Sequence, residues 1–137
     1  MKEKLMKELE ERGFSYKEKL NNVYGLCDLM QKRTRDKEGL FDLFVNVFIC
    51  TEDSKEILAS VWQKSLMNGD ERCWTVESAY PLSEGIELDP YLEGKPGCIH
   101  FSLGTPISTV LAEVKSQTLT AMRKEYDSRV MKLNELV

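Results

Sequence analysis

A single histidine, His100, serves a chain of 137 residues, and several motifs are missing altogether. There is no Cys-x-x-Cys pair, no Gly-x-Ser-x-Gly elbow, and no Gly-x-Gly-x-x-Gly or Gly-Lys-[Ser/Thr] loop. Each absence counts against a class of chemistry. Structural zinc sites draw on closely spaced cysteines, serine hydrolases on the nucleophile elbow, and nucleotide sites on glycine-rich loops. Long apolar runs are absent too. The longest, Val47-Phe48-Ile49-Cys50, has four residues, against about 20 for a membrane-spanning helix. The N-terminus, MKEKLMKELEERGF, is charged throughout and has no apolar signal core, so a cytoplasmic location is expected.

The four cysteines, Cys27, Cys50, Cys73 and Cys98, lie 23, 23 and 25 residues apart. Their even number permits two disulfides. Without a signal core, reduced and buried thiols are the expectation, because free cysteine behaves as a small apolar residue.

What is present describes one globular domain spanning 1–137. Apolar residues make up 42% and charged residues 31%, enough for a core at this length. The net charge of −4 is unevenly placed. Residues 1–40 carry ten Lys/Arg against eight Asp/Glu, residues 41–105 four against eleven, and residues 106–137 five against four. An acidic middle argues against nucleic-acid binding, which wants clustered cations.

Periodicity predicts an α+β fold: a small, mainly antiparallel sheet of about three to five strands, N-terminal helices, one inserted helix and a long C-terminal helix. Leu5, Met6 and Leu9 mark a first helix stopped at Gly13. Ser15-x-x-Glu18 resembles a capping box, and Tyr16, Leu20, Val23, Tyr24, Cys27 and Met30 share a helical arc. A strand over Val23–Met30 is the alternative. Arg33–Gly39 reads as a charged loop. Leu40–Thr51 alternates as a strand apolar on both faces. Ile57, Leu58, Val61, Trp62, Ser65 and Leu66 recur as a helical stripe ended by Asn68-Gly69, with a strand over Ile57–Val61 as alternative. Arg72–Tyr80 alternates as a half-exposed strand.

Pro81–Gly97 is a long connection rich in turn residues, with one helical turn expected over Asp89–Gly94. Connections of this length are uncommon unless they bind something or pack as a compact loop. Cys98–Gly104 predicts a strand, with Ile99, Phe101 and Leu103 on one face and Cys98, His100 and Ser102 on the other. Thr105 then caps, and Pro106 opens, a helix running toward the chain end. Ile107, Val110, Leu111 and Val114 form one stripe on it, and Leu119, Met122, Tyr126, Val130 and Leu133 a second. The stripes switch at Ser116-Gln117-Thr118; since 30 residues of straight helix would span about 45 Å, the helix is expected either to bend at the switch or to protrude. The second stripe must cover the N-terminal helix or a second subunit, which makes it a candidate dimerisation face.

Three constellations invite a functional reading. Cys98 and His100 share a strand face and could supply a metal site or a thiolate; a metal would need further ligands, Cys73 for example. Gly104-Thr105-Pro106 reads as a helix cap, and Gly94-Lys95-Pro96-Gly97 lacks the hydroxyl residue and helix of a phosphate loop, so no cofactor is expected. Trp74, Tyr80, Glu84, Glu87, Asp89 and Tyr91 combine aromatic groups with carboxylates, as suits contact with a basic protein surface. In layout, a compact acidic domain with helices at each end of a small sheet broadly resembles type III secretion chaperones, a likeness that brings no motif with it. The expectation drawn from these residues is a binding module, chaperone-, immunity- or inhibitor-like, rather than an enzyme.

Overall fold

Helix α1, Lys2–Glu11, opens the chain and ends as its glycine dictates. Gly13 takes φ +91°, which lets its N–H reach the Glu10 carbonyl and the Phe14 N–H reach the Leu9 carbonyl, both at 3.0 Å. That is a Schellman closure, and the side chains it brings together, Leu9 and Phe14, are both buried.

The computed structural model describes residues 2–22, 25–52, 55–75, 80–82, 91–92, 95–96, 98–123 and 127–137. Strands β1 (Ser15–Asn22), β2 (Gly25–Arg35), β3 (Phe41–Cys50), β4 (Glu56–Ser65), β5 (Glu71–Cys73) and β6 (Tyr80–Leu82) follow in spatial as well as chain order. A separate ladder pairs β7 (Tyr91–Leu92) with β8 (Lys95–Pro96). Strand β9 (Ile99–Ser102) returns to pair with β4 and brings the main sheet to seven strands. Helices α2 (Ile107–Met122) and α3 (Asp127–Leu136) close the chain. Every strand pairing is antiparallel, and the α+β class holds.

The sheet is larger than expected because two segments with helical spacing are strands. Ser15–Met30, expected as a helix, forms β1 and most of β2, joined in a tight hairpin in which Asn22 pairs with Gly25. Gly25 and the paired asparagines disfavour a helix there. Arg33, Thr34 and Arg35 extend β2 rather than forming a loop; the turn comes after them, with the Gly39 N–H on the Asp36 carbonyl. The stripe over Ile57–Leu66 is β4, a central strand buried from Ile57 through Gln63. A strand covered on both faces loses its period-2 signature, and its apolar residues then fall at helical spacings by coincidence. Asn68-Gly69, expected as a helix stop, turns the β4–β5 hairpin, with Gly69 at φ +78° and the Ser65 N–H on the Asp70 carbonyl. Asn-Gly is a strong hairpin signal.

All three helices lie on one face of the sheet. Leu5 and Leu9 of α1, Ile107, Val110, Leu111, Val114 and Met122 of α2, and Leu133 and Leu136 of α3 share a core with Leu43, Val45, Val47 and Ile49 of β3 and Ile57, Ala59 and Val61 of β4. The start of α2 differs in detail from expectation: Pro106 occupies the cap position and no side chain caps it, while Thr105 Oγ1 lies 3.1 Å from Ser102 Oγ. The helix also runs straight through Ser116-Gln117-Thr118 and ends at Met122, so the break comes later than the stripe switch.

The opposite face carries a second buried cluster of Cys27, Leu29, Phe48, Cys50, Leu58 and Cys98. Polar groups on this face are paired in place. Gln31 Nε2 donates to Asn46 Oδ1 at 2.8 Å, Trp62 Nε1 to Ser60 Oγ at 3.1 Å, and Arg35 Nε to the buried Asp42 at 2.9 Å.

Candidate functional site

The outer edge of β4 is shared. Strand β3 takes its inner edge along the whole length, from Glu56 to Ser65. On the outer edge β5 pairs with the far end, Cys73 opposite Trp62, and β9 with the near end, Ile99 opposite Ala59. Trp74 continues the β5 line by donating its backbone N–H to the Val61 carbonyl at 2.8 Å. The chain therefore leaves the edge after Trp74 and rejoins it at Ile99, two positions further on. Two segments far apart in sequence act as one interrupted strand, and the stretch between them is an excursion whose two ends sit on nearby positions of this edge, with β6 within it paired to β5.

The root is buried and apolar. Trp74 is 1% exposed, its Nε1 donates to Gln63 Oε1 at 3.2 Å, and the Arg72 guanidinium stacks 4.4 Å from its ring centroid. Trp74 was expected in a binding surface; its ring instead belongs to the core beneath the helices. The strand expected over Arg72–Tyr80 ends as β5 at Cys73, Trp74 adds one further bond to the β4 edge, and Tyr80 begins β6, which pairs back onto β5. Tyr91 lies in the β7–β8 ladder and not in a helical turn. Glu84, Glu87 and Asp89 lie outside the described residues, as do the side chains of Tyr80 and Tyr91.

Cys98 and His100 do share the face that alternation predicts, but they stand in different surroundings. Cys98 is 8% exposed within the second cluster. His100, exposed and opposite Leu58, has Nδ1 3.4 Å from Glu56 Oε1, a surface pairing at the outer limit of a hydrogen bond. Among the described residues no group of three or more His, Cys, Asp or Glu is arranged to hold a metal ion. Cys73 does not join Cys98 and His100 in such a group.

The cysteine expectation needs correction. Cys27 and Cys50 form a disulfide between β2 and β3, with Cα atoms 4.4 Å apart, while Cys73 and Cys98 are buried thiols. The β2–β3 register runs through Asp28 opposite Ile49, so the next pair along is Cys27 with Cys50. Their close Cα approach is that of a non-hydrogen-bonded cross-strand pair. Reading Val23–Met30 as a strand would have placed both cysteines near facing strand ends; the helical reading hid this.

The candidate dimerisation stripe divides. Met122 and Leu133 are fully buried in the chain's own core and Leu119 packs against it. Val130 falls in α3, its side chain outside the described residues, and Tyr126 lies outside them altogether. Among the described residues no helix is long and apolar enough to cross a membrane.

Comparison with protein-family models, with curated proteins and with solved structures finds no match, so the likeness of layout to type III secretion chaperones has no counterpart there.

Proposed function

We propose that this chain is a protein-binding domain and that the excursion between Trp74 and Cys98 carries its contact surface for a basic partner. The supporting observation is the root on the β4 edge, with Trp74 opposite Val61 and Ile99 opposite Ala59, reinforced where β6 pairs with β5. That root ties both ends of an acid-dense segment to the rigid sheet. Glu77, Glu84, Glu87, Asp89 and Glu93 precede the first cation, Lys95. Clustered carboxylates steer a cationic surface into place, and Tyr80 and Tyr91 are the aromatic anchors such a contact needs. Trp74 is removed from the contact set and becomes the anchor of the root.

A metal or thiol enzyme centred on Cys98 and His100 has less in its favour, since the thiol is buried among apolar side chains and the imidazole pairs with Glu56 at the surface. The setting is proposed to be one in which the Cys27–Cys50 bond persists, which a reducing cytoplasm opposes.

The experiment compares cross-linked partners of the wild type and of a Glu84→Lys, Glu87→Lys, Asp89→Lys variant at low and raised salt. Loss of partners in the variant, and in the wild type as salt rises, supports the assignment. An unchanged partner set overturns it.

A further inference from the structure

We propose that Cys73 and Cys98 are a second disulfide pair, able to close the root of the excursion when an oxidant is supplied. Cys73 is opposite Trp62. Ile99 is opposite Ala59, which sets Cys98 beside Ser60. The two cysteines therefore flank β4 on the same edge, two positions apart, and because Ser60 and Trp62 share a face, so do the thiols. Both are on the face that already carries the Cys27–Cys50 bond. Two strand positions correspond to about 6.7 Å between Cα atoms, the top of the range disulfides span, and same-face Cβ atoms are then about as far apart, beyond the roughly 4.5 Å a disulfide allows, so the bond forms only with a local backbone shift. Cys73 is held on both edges, opposite Trp62 and Tyr80, whereas Cys98 stands at a bend just before β9, so the shift falls on Cys98.

Burial orders the chemistry. Cys98 is 8% exposed and Cys73 fully buried, so Cys98 meets a small-molecule disulfide such as oxidised glutathione first. Its thiolate attacks one sulfur of that disulfide, forming a mixed disulfide and releasing one glutathione thiol. The Cys73 thiolate then attacks the Cys98 sulfur and releases the second. Overall the two cysteines give up two electrons and two protons, and the oxidant takes up both. The bond encloses the 24 residues from Trp74 to Gly97 and does not depend on what the excursion binds.

The chain contains one Asp-Pro bond, Asp89-Pro90, which acid cleaves selectively. Folded protein is treated with oxidised glutathione, its thiols are blocked, and it is cleaved there and run on a non-reducing denaturing gel. Cys27 and Cys50 both stay in fragment 1–89, so their bond cannot join the halves. The expected result is that the fragments stay joined until reduced, separate in Cys73→Ser and in Cys98→Ser, and become linked faster in folded than in urea-unfolded protein. The proposal is overturned by separate fragments in the oxidised wild type, whether their thiols are untouched or carry glutathione. Fragments still joined in Cys73→Ser, or equal rates in folded and unfolded protein, overturn it as well.

Discussion

Trp74 and Ile99 are 25 residues apart in the chain but occupy positions two apart along the outer edge of β4, facing Val61 and Ala59. These two positions root the segment between them, which β6 ties to the sheet again through β5. The root in turn depends on the indole, because Trp74 is buried and held by Gln63 and Arg72.

Replacing Trp74 with alanine is expected to cost roughly 3–5 kcal/mol, the range for truncating a buried aromatic. Trp74→Phe keeps most of the apolar area but leaves Gln63 Oε1 without the indole donor now 3.2 Å away. Its cost is expected to be smaller, about 1–3 kcal/mol. Urea unfolding of both variants checks the order. A Trp74→Ala protein as stable as the wild type would mean that the indole is not part of the core.

The Cys27–Cys50 bond joins residues 23 apart in sequence, and in the chain-entropy account a loop of that size contributes roughly 3 kcal/mol by restricting the unfolded chain. Cys27→Ala/Cys50→Ala, or reduction of the wild type, is expected to lower the urea midpoint by a corresponding amount while the sheet persists. The register is set independently by the pairs from Asp28–Ile49 to Arg35–Asp42. Loss of the circular-dichroism signal of the sheet in the alanine variant, without denaturant, would contradict this.

The parts of the fold that the sequence displayed are those with one dry face or a strong stop signal. The end of α1 was legible because Gly13 supplies the positive φ that a Schellman closure requires. Strand β3 was legible because Leu43, Val45, Val47 and Ile49 alternate with Phe44, Phe48 and Cys50 and the run is rich in β-branched and aromatic residues. Strand β4 was not: Ile57, Leu58, Val61 and Trp62 satisfy a helical template, and only the neighbours on both sides decide for the strand. The same misreading over Ser15–Met30 concealed the disulfide, since a cross-strand pair can be anticipated only once both strands are recognised. The excursion was visible as a long acidic connection, but its root on β4 was not, because it arises from two distant segments sharing one edge of that strand.

Tyr16 ties β1 to the buried Asp28, its hydroxyl donating to Asp28 Oδ1 at 3.2 Å, and Lys2 Nζ of α1 lies 3.3 Å from the other carboxylate oxygen. Desolvation, the hydrogen bond to Asp28 and the charge of that carboxylate together hold the phenol above its ordinary 10.0. A pKa raised on folding means that the folded state favours the neutral phenol. Its contribution to stability is therefore complete below about pH 10. It is lost as pH climbs through the folded-state value. The difference in alkaline ultraviolet titration between wild type and Tyr16→Phe should isolate a phenol that ionises late, and Asp28→Asn should bring it back down. A Tyr16 that ionises at the ordinary value in the folded protein would contradict the contact with Asp28.

Met122 and Leu133 test whether the C-terminal helices serve the chain's own core or a second subunit. Both are fully buried within one chain, and α2 and α3 share that core with α1 and the sheet. Leu133→Ala is therefore expected to cost roughly 2–5 kcal/mol, and the volume-conserving Met122→Leu less than about 1.5 kcal/mol. The distinguishing observation is concentration dependence. A side chain buried within one chain loses the same stability at any protein concentration, whereas one buried between two chains gives a midpoint that rises with concentration. Urea midpoints of wild type and Leu133→Ala, measured over a hundredfold range of concentration, are expected to stay parallel and flat. A wild-type midpoint that climbs with concentration, and a Leu133→Ala midpoint that does not, would transfer this face to a dimer interface.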